Sequence, residues 1–191
     1  AKKWWMLAEY WRLAIDKVLW DPEDGIWYDY NLETKQPRKG FFPSNVAPLW
    51  AKCVEAENLI EYGPKVIEYL KRSTALSFPG GIPTSISRSG EQWDHPNAWP
   101  PLQSMVVEAL KHINTDESNR MAQETAQKWV RANYIGYNKT EEMFEKYDAE
   151  KPGDYGGGGE YVVQSGFGWT NGVVLEMLNY YGGVITSNEV C

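Results

Sequence analysis

The sequence predicts an all-α fold, and three features carry that expectation. Apolar residues recur at three- and four-residue spacing in Trp4, Leu7, Trp11, Ala14, Ile15 and Val18, the stripe of one helix face. The same period returns in several later segments, whereas only one short stretch alternates as a strand would. Two long non-periodic stretches, residues 77–101 and 148–169, interrupt the helical pattern without a linker or a break in composition. Residues 1–191 therefore read as a single unit.

In chain order, the first helix ends before "DPEDG", where Asp, Pro and Gly signal a turn. "IWYDYNLETKQPRKG" alternates and breaks at Pro37 and Gly40, which gives an irregular excursion or a short hairpin. A second helix is expected from about Ser44 to Glu61, carried by Val46, Leu49, Trp50, Cys53 and Val54. Pro48 falls inside its first turns, where proline is tolerated. A third helix opens at Pro64, directly after Gly63, in "PKVIEYLKRSTAL". Helical pattern resumes in "LQSMVVEALKHI" and again in "ESNRMAQETAQKWVRANYIGY", where Met121, Thr125, Trp129, Ala132 and Tyr134 lie along a long helix. "TEEMFEKYD" is expected to add one short turn of helix. The last helix, "TNGVVLEMLNYYG", closes at Gly182, a residue that helix ends favour.

The totals bound the function. A chain of 191 residues can bury a substantial core. Its net charge of -7, from 19 basic and 26 acidic residues, argues against nucleic acid or an anionic membrane surface as partner. It suits a neutral small molecule. Ten Trp and twelve Tyr stand against five Phe, and such rings combine an apolar face with a polar edge, as interfaces and sugar sites require. Cys53 and Cys191 are too few for a disulfide framework or a zinc site of usual spacing. No apolar run approaches a membrane span, and the amphipathic first segment does not read as a signal peptide. The sequon Asn138-Lys139-Thr140 permits N-glycosylation in a secreted protein.

The chemistry-bearing residues gather in the two long loops. "EQWDHPNAWPP", Glu91 to Pro101, places two indoles, a carboxylate and an amide in a segment that proline keeps irregular. Gly156 to Gly159 are four consecutive glycines ahead of Glu160 and Tyr161. Their spacing fits neither nucleotide fingerprint, and the apolar, aromatic "EYVVQSGFGW" that follows argues against a floating linker. Nearby carboxylates are Asp94, Glu141, Glu142, Glu145, Asp148, Asp154 and Glu160. Hydrolysis of a glycosidic bond needs two carboxyl groups flanking it, with aromatic faces and polar groups to hold the sugar. His95 and His112, the two histidines, form neither a Ser-His-Asp or Cys-His arrangement nor a convincing metal site. Catalysis, if present, rests on carboxylates, with no metal and no cofactor expected.

"QWDHPNAWPP" resembles the trehalase family signature, which runs Gln-Trp-Asp, one residue, Pro, two residues, Trp, one residue, Pro. "GGGGEY" followed by "QSGFGWTNGV" resembles the same family's glycine-rich segment, and "GGIPTSISRSGEQWD" fits the stretch before the signature. The resemblance implies an inverting glycosidase that splits α,α-trehalose into two glucoses on an (α/α)6 toroid. It carries the general base onto Glu145, in Glu145-Lys146-Tyr147-Asp148, and substrate contacts onto Glu160, Trp93, Asp94, Asn97, Trp99, Phe167 and Trp169. In this reading the opposing acid gives its proton to the bridging oxygen, and inverting carboxyls stand about 6.5–9.5 Å apart.

Nothing in the sequence matches the family's upstream segment with the general acid, its first signature or its sugar-clamping arginines. The resemblance therefore implies the C-terminal portion of a trehalase toroid, whose partners are trehalose and the missing N-terminal part. Incomplete activity of the isolated chain and exposed apolar faces are expected from this. A secreted or extracellular membrane-face location, with a glycan on Asn138, is expected by analogy. The alternatives are another α-glycosidase on the same toroid and a non-catalytic sugar-binding module.

Overall fold

The computed structural model of the chain describes residues 2–187. Helix α1 (Lys2–Leu19) carries the expected apolar stripe, yet none of its residues is buried. Two short antiparallel ladders follow, β1 (Trp20–Asp21) with β2 (Ile26–Trp27) and β3 (Tyr30–Asn31) with β4 (Gln36–Pro37). The alternating stretch thus takes the hairpin form.

The helix expected from Ser44 to Glu61 does not form in one piece. A 3-10 turn at Pro43–Val46 passes into the four-residue α2 (Ala47–Trp50), and the chain then turns at Lys52, whose φ of 54° is left-handed. The next helix, α3 (Ala56–Arg72), runs unbroken through Gly63 and Pro64, where the sequence signals a boundary. Gly63 answers to packing: a Cβ there would lie 2.9 Å from the Ile113 side chain. Pro64 removes one intrahelical donor, and burial of Val66, Ile67, Tyr69 and Leu70 beyond it offsets the loss.

Helix α4 (Pro100–Ile113) lies at the centre. It packs against α2, α3, α5 (Asp116–Thr140) and α6 (Gly168–Tyr181). Its Val106, Val107, Leu110 and Ile113 join Trp27, Leu49, Leu70, Trp129 and Met177 in one core. Helix α5 starts in a reciprocal cap, in which Ser118 N–H donates to Thr115 Oγ1 (3.1 Å) and Thr115 N–H to Ser118 Oγ (2.9 Å).

The helical turn expected in "TEEMFEKYD" is absent. Helix α5 ends at left-handed Glu141, and the chain extends into β6 (Tyr147–Asp148), which pairs antiparallel with β5 (Asn97–Ala98). The cause is tertiary. Phe144 and Tyr147 are buried, Tyr147 against Trp129 at 5.3 Å, and pairing with a distant loop overrides the local helical propensity of the glutamates. Cys53 is a half-buried free thiol, and Cys191 lies outside the described residues.

Candidate active site

The β5–β6 pairing sets Asn97 opposite Asp148 and Ala98 opposite Tyr147, which brings the two long loops side by side. The first loop is held from beneath by α4. Gln103, fully buried, accepts from Ile82 N–H and donates to Ile82 C=O, both at 2.7 Å. Trp99 Nε1 donates to Gln92 C=O at 2.9 Å, and Asn97 Nδ2 to Asp94 C=O at 3.1 Å. Asp94 accepts from the hydroxyls of Ser85 (2.6 Å) and Ser89 (2.5 Å), and these two bonds hold its carboxyl below the usual carboxylate range. A loop rich in proline, with few regular backbone bonds, is made rigid by its own side chains.

Four aromatic rings pack in a continuous row on this frame. Trp93 stacks on Trp99 with centroids 4.0 Å apart and planes 4° from parallel. Trp99 meets Trp169 edge-on at 5.6 Å, and Phe167 lies 4.8 Å from Trp169. Such pairs each contribute about 0.5–1.5 kcal/mol beyond area burial. Trp99 is 1% exposed and Trp93 48%, so the outer indole alone of this pair offers a free face.

Glu145 is the only buried carboxylate among the described residues. Its backbone N–H donates to Gln164 C=O, and its own C=O accepts from Trp169 Nε1, both at 2.9 Å. Its Oε1 accepts from the Tyr161 hydroxyl at 3.2 Å, whereas its buried Oε2 has no hydrogen-bond partner. Burial and the charge of Glu145 raise the Tyr161 pKa, so the phenol stays protonated and donates. Beside it, Lys146 is fully buried. Burial lowers its pKa, and the charge of Glu145 opposes that shift. A buried carboxylate with one oxygen held and the other free is arranged to accept a proton.

The glycine run is packed. A Cβ at Gly156 would fall 2.3 Å from Asn97 Oδ1 and 3.1 Å from Lys146 Cγ, so only glycine lets the second loop cross the first here. Lys146 Nζ donates to Gly157 C=O at 2.7 Å.

The residues expected at the site fall into two groups. Glu145, Trp93, Phe167 and Trp169 come together around the crossing, with Glu160 exposed at the end of the glycine run. Asp94, Asn97 and Trp99 sit directly behind them with side chains engaged in loop-internal hydrogen bonds. Tyr161 and Lys146 were not singled out by the sequence reading. A phenol two residues beyond the last glycine and a lysine beside a candidate base are the signals that point to them. A concavity of about 430 Å³ between α5 and α6, lined by Val130, Tyr134, Tyr137, Val174 and Leu178, holds no carboxylate and does not suit a hydroxylated ligand. Among the described residues, no group of three His, Cys, Asp or Glu is arranged to hold a metal, and no helix is long and apolar enough to cross a membrane.

Comparison with known proteins gives a consistent result. The trehalase family profile matches residues 1–182. The chain is 54% identical over 187 residues to trehalase of Bombyx mori, covering 98% of this chain and 32% of that protein. It is 51% identical over 178 residues to trehalase of Tenebrio molitor (93% and 32%) and 45% identical over 174 residues to trehalase of Homo sapiens (91% and 29%). Neutral trehalase Nth1 from Saccharomyces cerevisiae superposes with a TM-score of 0.69 at 24% identity, over 94% of this chain and 30% of that one. That likeness shows the fold, part of an (α/α)6 barrel. The chain spans about a third of the length of the curated relatives it matches.

Proposed function

The chain belongs to the trehalase family, and from that membership we propose that the protein hydrolyses α,α-trehalose to two glucoses with inversion, Glu145 acting as general base. One observation carries the assignment of the base: Glu145 is buried, with Oε1 held by Tyr161 and Oε2 unpartnered. In the reaction, Oε2 takes a proton from water as the water oxygen bonds to one anomeric carbon. The bond from that carbon to the bridging oxygen breaks, and the bridging oxygen receives a proton from a carboxylic acid on the opposite side. One glucose leaves as the β-anomer and the other as the α-anomer.

The acid comes from outside the described residues in this reading. Asp94 is held ionised by Ser85 and Ser89, which makes it a poor proton donor, and Asp154 is exposed and paired with Lys139 at 3.3 Å. Trp93, Phe167 and Trp169 supply the aromatic wall and Glu160 accepts from sugar hydroxyls, with Asp94, Asn97 and Trp99 fixing the wall from behind. The exposed Asn138, near the end of α5, is open to a glycan, in keeping with a secreted or extracellular protein.

The test is proton NMR of the full-length protein with α,α-trehalose, following the anomeric signals from the first minutes. Equal early release of α- and β-glucose is expected. Glu145→Gln is expected to lower kcat by about 10²–10⁴-fold, the usual contribution of a general base. Early release of α-glucose only would overturn inversion. Absence of glucose would overturn the hydrolase reading, and binding without turnover would leave a sugar-binding module.

A further inference from the structure

Lysine is seldom buried, because taking an ammonium out of water is costly unless its donors are satisfied. Lys146 is 0% exposed. Its Nζ donates to Gly157 C=O at 2.7 Å and reaches Gly158 C=O at 3.5 Å, and it lies over the rings of Trp99 (5.2 Å) and Tyr161 (5.8 Å). Its own C=O accepts from Gly156 N–H at 3.1 Å. One residue thus grips the glycine run through both main chain and side chain. Three residues beyond Gly158, the same run presents the Tyr161 hydroxyl that meets Glu145 Oε1.

We propose that Lys146 is a positioning residue. It anchors the glycine run to the segment that carries Glu145, and so keeps the Tyr161 hydroxyl on the carboxylate and leaves Oε2 as the oxygen that accepts the proton. This rests on the reading of Glu145 as general base. The geometry of neighbours gives the assignment its direction: Glu145 and Lys146 are consecutive, and their side chains contact opposite ends of one short stretch, Gly157 to Tyr161. If Tyr161 moves away, Glu145 Oε1 loses its hydrogen-bond donor and the carboxylate is free to rotate.

The test is a double-mutant cycle in the full-length protein with Lys146→Met, Tyr161→Phe and the pair. Each single change is expected to lower kcat about tenfold with little change in KM. The pair is expected to lower it about tenfold as well, because the lysine acts through the tyrosine. KM is expected to stay within about twofold of the parent in both single variants, a split between kcat and KM that general loss of packing would not produce. Additive effects, near a hundredfold for the pair, overturn the proposal.

Lys146→Met removes the donor from Gly157 C=O in a buried position and is open to misfolding, so Tyr161→Phe also stands by itself. A kcat within twofold of the parent in Tyr161→Phe overturns the proposal. Amide hydrogen exchange provides a readout independent of turnover. The buried Gly156 amide, which donates to Lys146 C=O, is expected to exchange faster in Lys146→Met than in the parent, and unchanged exchange overturns the anchor. If the parent protein does not act on trehalose, the hydrolase reading fails, while the exchange result still decides whether Lys146 holds the loop.

Discussion

Trp93 and Trp99 stack as parallel indoles, yet their surroundings separate what each contributes. Trp99 is buried and donates its indole N–H within the loop, so it is part of the frame. Trp93 is half-exposed and keeps its outer face free, the kind of surface on which a sugar ring packs. Trp99→Ala is expected to cost about 3–5 kcal/mol, as removal of buried aromatics does. Trp93→Ala should cost far less stability but raise KM for trehalose. Urea denaturation and steady-state kinetics of the two variants in the full-length protein check this, and an unchanged KM in Trp93→Ala would sink the assignment of the wall. The residue types at the site were legible in the sequence through the signature-like stretch. Which of the two indoles faces outward was not, because stacking order is set by the crossing of the second loop.

At the scale of elements, α1 and the segment from Glu141 to Asp148 show opposite relations between sequence and structure. Helix α1 follows its local periodicity but buries nothing fully, and Trp4, Trp5, Tyr10 and Trp11 are all more than half exposed. Its last turns are tied down, with Ile15 and Leu19 against the core and Asp16 accepting from Trp27 Nε1, but its first three turns lack such packing and are marginal in water. The amides of its first three turns are therefore expected to exchange close to the unfolded rate, and those of the last turn, next to Ile15 and Leu19, more slowly. Equal protection along the helix would refute this. The segment from Glu141 to Asp148 does the reverse: it abandons its helical tendency and extends, because β5 offers a ladder and Trp129 a burial site for Tyr147.

For the molecule as a whole, pH sets stability through groups buried in the loops and core. Burial holds His95 below the ordinary histidine value, helped by Arg88 and opposed by Glu150 and Asp148, and burial also lowers His112, helped by Lys52. Below about pH 6.5 the unfolded chain binds protons that the folded chain does not, so stability declines as pH falls until the folded values are reached. Asp94 adds a second loss at lower pH. Its depressed value contributes stability above about pH 4 that is lost as pH falls through the folded value. The urea midpoint should fall between pH 7 and 5.5, and the fall should be smaller when His95 and His112 are both replaced by Asn. A midpoint constant over that range in the parent protein would contradict the account.

The sequence by itself determined the all-α class, the helix faces, the position of the two long loops and the family resemblance that singled out Glu145. These are local properties: a period of three to four residues, proline and glycine punctuation, and short motifs can be read without knowing what lies opposite. Tertiary structure alone decided that α3 passes through Gly63 and Pro64, that the segment carrying Glu145 is extended, and that Lys146 is buried beneath the glycine run. It also decided which oxygen of Glu145 is held and which is free. Each of these outcomes depends on partners distant in sequence, Ile113 for Gly63, Asn97 for Gly156 and Tyr161 for Glu145. Local propensities of a fraction of a kcal/mol per residue yield to packing and hydrogen bonds of that kind.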